Sequence, residues 1–115
     1  MKKVALFVFN GDPMCFIHVL LNALDMKAKA YDCRVVVEGA ATQLIAALAT
    51  VDHPLHTLWE KTKDQGLVAG VCKACSQKMG TLDAARDQGL ALLDEMNGHP
   101  SMAGFRDQGY EVVTF

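Results

Sequence analysis

Several things are scarce in this 115-residue sequence, and each scarcity excludes a class of protein. Aromatic residues make up 7% of the chain, too few for a platform that stacks on bases. Neither sign of charge dominates: eleven Lys and Arg face thirteen Asp and Glu, a formal net charge of −2, so nothing marks a nucleic-acid or acidic-membrane binder. Four cysteines in a chain long enough to bury a real core are too few for a disulfide-rich secreted scaffold. No apolar run reaches membrane length. Val4–Phe9 is too short for a signal core, and Met14–Leu24 is interrupted by His18 and Asn22. No nucleotide-binding glycine pattern is present, and no cofactor is expected. No linker or low-complexity stretch divides the chain, so residues 1–115 are expected to form one domain.

What the chain does have is alternation. The phrase Asp-Gln-Gly occurs at 64–66, 87–89 and 107–109, each time after a helical pattern and before a short apolar run. Glycine there closes a helix in the left-handed conformation and returns the chain to a strand. Asp12-Pro13, His53-Pro54 and His99-Pro100 place proline where a helix's first turn tolerates it. The signals together predict strands near 3–9, 34–38, 67–71, 90–93 and 110–115. They predict helices near 13–29, 40–49, 54–65, 76–88 (with a break at Gly80-Thr81) and 100–108. The first three strands are unbroken apolar runs, as expected of parallel strands buried on both faces. The expected fold is a single-domain α/β protein: an open parallel, Rossmann-like sheet of about five strands with helices on both faces.

In such a sheet ligands bind beyond the carboxyl ends of the strands. Those ends carry Gly11, Asp12 and Cys15; Glu38; Cys72, Lys73 and Cys75; and the stretch from Asp94 to His99. Cys72-Lys73-Ala74-Cys75 carries the most information, because a cysteine leaving a strand and entering a helix meets free N–H groups and the positive end of the helix dipole. Both favour a thiolate, the species that attacks sulfur, and Lys73 adds a nearby cation. Cys72 and Cys75 are therefore the expected reactive pair. Cys15 and His18, three apart on the first helix, are a second candidate pair beside it. Together with Cys72 and Cys75 they compose a possible zinc set, although a domain this apolar needs no metal to fold. Glu38 either caps the next helix or faces the pocket. His99 reads first as a helix cap and second as a site residue. Gly11 eases a tight strand-to-helix turn, and Cys33, at the other edge, reads as a small hydrophobe.

The first strand Lys2-Lys3-Val4-Ala5-Leu6-Phe7-Val8-Phe9, the run Val35-Val36-Val37-Glu38-Gly39, the terminal Gly109-Tyr110-Glu111-Val112-Val113, and Cys72 with Gly80 after the third strand resemble the DsrE/DsrF-like family, which includes the YchN and TusD-type sulfur-relay proteins. The resemblance spans nearly the whole chain. It implies a parallel α/β sandwich, assembly into trimers or hexamers, a cytoplasmic location, and a cysteine at the position of Cys72 that takes sulfur as a persulfide and passes it from a protein donor to a protein acceptor. The family's segment usually holds one cysteine; Cys75 is additional and leaves room for a disulfide cycle with Cys72. Some members lack the cysteine, so a non-catalytic binding or assembly module of the same fold is the alternative. Thiol-redox chemistry and zinc binding through Cys15, His18, Cys72 and Cys75 are the others. Neither nucleic acid nor a membrane is an expected partner.

Overall fold

The computed structural model describes residues 1–115. Five strands, β1 (Lys3–Val8), β2 (Asp32–Val37), β3 (Val68–Cys72), β4 (Leu92–Leu93) and β5 (Glu111–Thr114), form one parallel sheet in the order β4-β3-β2-β1-β5. The first three crossovers all step in the same direction. Right-handed connections therefore lay their helices on one face of the sheet. These are α1 (Pro13–Ala28), α2 (Ile45–Leu48), α3 (His56–Asp64), α4 (Lys73–Lys78) and α5 (Leu82–Asp87). The last crossover returns past β3, β2 and β1, so α6 (Met102–Asp107) lands on the other face.

The two faces are unequal. Nineteen buried residues make the larger core, where Phe16, Val19, Leu20 and Ala23 of α1 recur at helical spacing and meet Leu6, Val8, Val35 and Val37 from the sheet. Only four buried residues, Ala5, Phe7, Val36 and Tyr110, hold the second face, with Phe105 of α6 edge-on to Phe7 at 5.5 Å between ring centroids. Strands packed on both sides have no wet face to encode. This explains the continuous apolar run of β1.

The three Asp-Gln-Gly phrases do close helices. Gly66, Gly89 and Gly109 have φ of +71°, +71° and +92° at the ends of α3, α5 and α6. Nothing lies within 4 Å of where a Cβ would stand on Gly66 or Gly89, so backbone conformation and not crowding selects glycine there.

Three expectations about element boundaries are corrected. The helix expected over 40–49 begins as a tighter 3-10 segment, Gly39–Leu44, in which the Thr42 hydroxyl donates to the Gly39 carbonyl at 2.8 Å. The fourth strand shrinks to Leu92–Leu93, because Leu90 is spent on the return from α5, its N–H bonding the Ala85 carbonyl. Pro54 and Pro100 lie before their helices and not in the first turn: α3 starts at His56, and α6 follows its cap Ser101, whose Oγ accepts the Gly104 N–H at 3.1 Å. The break expected at Gly80-Thr81 is present between α4 and α5. No helix is long and apolar enough to cross a membrane.

Candidate functional site

Because every strand is parallel, the loops after β1, β2, β3 and β4 gather on one edge of the sheet. Cys72 is the last residue of β3 and the residue that caps α4. Its extended backbone (φ −62°, ψ 121°) turns Sγ back over the helix start, where it accepts the Cys75 N–H at 3.4 Å. Cys75 stands one turn along the same helix and is half-buried, whereas Cys72 is fully buried.

The third member arrives from the loop after β4. Met96 and His99 exchange backbone hydrogen bonds of 2.8 and 2.9 Å across Asn97 and Gly98, both of which have positive φ (51° and 89°). That is the pattern of a two-residue type I′ turn, which Asn-Gly favours more than any other pair. The turn is fastened to α4 by the Ala74 N–H, which donates to the Gly98 carbonyl at 2.9 Å. A Cβ on Gly98 would meet the Ala74 Cβ at 3.2 Å, so the turn and the helix start are closely fitted. This geometry brings His99 Nδ1 to 3.0 Å from Cys72 Sγ and 3.7 Å from Cys75 Sγ. The expected capping role of His99 is thereby corrected, since Ser101 does that work. Asn97-Gly98 was the sequence signal that placed the histidine.

Glu38, just past the end of β2, makes no capping bond; its Oε2 lies 3.6 Å from the same His99 nitrogen. The carboxylate is largely buried, and that burial raises its pKa, with His99 pulling the other way. One imidazole nitrogen thus faces two sulfurs and a carboxylate.

Thiolate stabilisation at the helix start is outweighed. Burial pushes the Cys72 thiol up to about 12, the neighbouring Cys75 and Glu38 push the same way, and the Cys75 N–H offsets only part of this. In the resting site Cys72 is a thiol. Its proton has two acceptors within reach, His99 Nδ1 at 3.0 Å and the Gly98 carbonyl at 3.7 Å.

The remaining candidates divide. The ligand atoms of Cys72, Cys75 and His99 all lie within 4.8 Å of one another, and Cys15 and His18 are not in that cluster. The four-residue zinc set that the spacings allow is therefore not assembled; the residue that joins Cys72 and Cys75 is His99. His18 is exposed on α1. Asp12 caps α1, its Oδ1 accepting the Met14 N–H at 2.9 Å. Gly11 permits close approach to the 3-10 segment: a Cβ there would stand 2.9 Å from the Ala40 carbonyl oxygen. Lys73 pairs with Asp94 at 3.8 Å in an exposed contact worth little. All four cysteines are free thiols.

Directly after Cys75, Ser76 is fully buried and its hydroxyl has no hydrogen-bond partner. Ser76→Ala is expected to stabilise the fold by up to about 1 kcal/mol, since it removes a desolvated hydroxyl that gains nothing in return. A urea midpoint equal to or below the wild type's would contradict this.

Comparison with known proteins covers the whole chain. The model of the DsrE/DsrF-like family matches residues 3–115. An uncharacterized protein of Methanocaldococcus jannaschii is 30% identical over 117 residues, spanning 96% of this chain and 93% of its own length. An uncharacterized protein of Archaeoglobus fulgidus is 39% identical over 41 residues, 36% of this chain and 67% of its own length. No solved structure matches.

Proposed function

Since the chain belongs to the DsrE/DsrF-like family, we propose that it is a sulfur carrier of the sulfur-relay type, holding sulfane sulfur as a persulfide on Cys72 with Cys75 as the partner thiol. The single observation that carries this reading is His99 Nδ1 standing 3.0 Å from one sulfur and 3.7 Å from the other. A thiol must lose its proton to attack sulfur, and a neutral imidazole at hydrogen-bond distance is the group that takes it. Burial of Cys72 adds a second support, because a persulfide enclosed under the Asn97-Gly98 turn is shielded from stray thiols.

The donor and acceptor in this reading are proteins, and self-association into a trimer or hexamer belongs to the same proposal. Exposed methionines fit docking by other proteins. Met14 is 71% exposed at the start of α1, on the edge of the sheet where the strands end, and Met96 is 53% exposed in the hairpin that carries His99. Methionine suits surfaces that accept more than one partner.

Incubation with a cysteine desulfurase and cysteine is expected to add one sulfur atom to Cys72, read by mass spectrometry of the alkylated peptide. An unmodified pair beside a working donor control sinks the reading. Metal analysis of protein purified without chelators runs in parallel: one zinc per chain, resistant to exchange, would replace the sulfur-carrier reading with a structural thiol–imidazole metal site.

A further inference from the structure

The persulfide reading leaves a difficulty: the residue that stores the sulfur is sealed. Cys72 has no exposed surface, and its Sγ lies under the Gly98 carbonyl at 3.7 Å in a turn fastened to Ala74. A protein donor cannot bring its own persulfide to that atom without displacing the turn. Cys75 stands on the same helix and is only half-buried. Resting on the persulfide reading, we propose that Cys75 is the port through which sulfur enters and leaves, that Cys72 is the buried store, and that His99 carries the proton between the two sulfurs.

The distances suit an internal transfer. Two S–S bonds of about 2.05 Å laid end to end reach about 4.1 Å. The two Sγ atoms lie within 4.8 Å of each other, close to that span, so a sulfur carried on Cys75 stands beside Cys72. In the transfer, Cys72 gives its thiol proton to His99 Nδ1. The resulting thiolate attacks the outer sulfur of the Cys75 persulfide, forming the bond from Cys72 Sγ to that sulfur. The bond from the outer sulfur to Cys75 Sγ breaks, its electron pair leaves on Cys75 Sγ, and His99 returns the proton there. Outer sulfur and its hydrogen move together, His99 begins and ends neutral, and no oxidant or reductant is consumed. The Cys75 N–H at 3.4 Å stabilises the Cys72 thiolate while it exists, and Glu38 at 3.6 Å stabilises the imidazolium. Running the same step backwards presents the sulfur to an acceptor.

The experiment follows sulfur in time on the full chain, with a cysteine desulfurase and cysteine as source, quenching by alkylation and locating the extra sulfur by fragmentation. Wild-type protein is expected to show it first on Cys75 and then on Cys72. Cys72→Ser is expected to hold it on Cys75. Cys75→Ser, a near-isosteric change at a half-buried position, is expected to leave Cys72 unloaded over the time that fills the wild type. His99→Gln is expected to slow the step from Cys75 to Cys72 by about 10²–10⁴-fold, read as the ratio of sulfur on the two thiols once Cys75 is loaded. Loading of Cys72 in Cys75→Ser at the wild-type rate overturns the port and leaves the sulfur-carrier reading standing. An unchanged second step in His99→Gln overturns the proton role. No sulfur on either wild-type thiol, with an active donor, overturns the sulfur-carrier reading itself.

Discussion

Iodoacetamide at pH 8 is expected to modify Cys75 in the folded protein and leave Cys72 almost untouched, although only two residues separate them. Only the thiolate is alkylated, and burial holds the Cys72 thiol up at about 12 against a reference of 9.0. At pH 8 this leaves about one Cys72 in 10⁴ ionised in the folded state and about one in ten in the unfolded chain. Unfolding in urea should therefore speed alkylation of Cys72 by about 10³-fold before any gain in access is counted. A folded-state rate at Cys72 equal to that at Cys75 would show that the site is open and would contradict the enclosed store. The same shift has a thermodynamic face. Below about pH 9 both states keep the proton, and the stability that depends on it is fully present. Between about 9 and 12 the unfolded thiol ionises while the folded one does not, so the unfolded state binds fewer protons and stability falls as pH rises. Cys33, whose burial holds it up to about 11, adds to the loss over the lower part of that window. Denaturant midpoints measured across this range should decline in the wild type and decline less in Cys33→Ala, measured against that variant's own neutral value.

Trp59→Ala is expected to cost about 3–5 kcal/mol, the largest loss of any single truncation in the core. Trp59 is fully buried in α3, packs edge-on against Phe16 of α1 at 5.9 Å, and donates its indole N–H to Gln88 Oε1 at 2.8 Å. Gln88 in turn donates to the Ile45 carbonyl at 2.9 Å, so one amide ties α3 to α2 from the end of α5. Removing the indole opens a cavity beside α1 and also frees an acceptor that Lys63 alone then holds, at 3.0 Å. Chemical denaturation is the measurement, with Trp59→Phe as companion. It refills most of the volume and loses the hydrogen bond, so it should recover the larger part of the loss. Equal costs for the two variants would place the stability in the hydrogen bond and not in the packing.

Local chemistry was enough to read the fold. Apolar runs without alternation, glycines that only a left-handed turn requires, and strands alternating with helices are properties of neighbouring residues. They led to a parallel five-stranded α/β sheet that the structure also has. The ends of elements were less legible. The Thr42 hydroxyl and the Ser101 cap act through single hydrogen bonds that composition does not reveal.

The site was legible as a pair and not as a constellation. Cys72 and Cys75 are joined by helix spacing, which sequence carries. Their partner was not, because His99 lies 24 residues beyond Cys75, and its place depends on β4 lying beside β3 and on the Asn97-Gly98 turn reversing the chain onto α4. The same limit governs the charge state. The start of a helix argues for a thiolate, but whether that thiol meets water depends on what covers it, and a turn from a distant loop covers Cys72. The Asp-Gln-Gly phrase shows both halves at once. Its glycine does the same work three times because φ is a property of the residue itself. Its glutamine side chain ties elements together only at Gln88, because only there does the fold bring an indole and a free carbonyl within reach. Sequence alone determined the conformations and the order of the elements; tertiary structure decided which side chains meet and which of them stay dry.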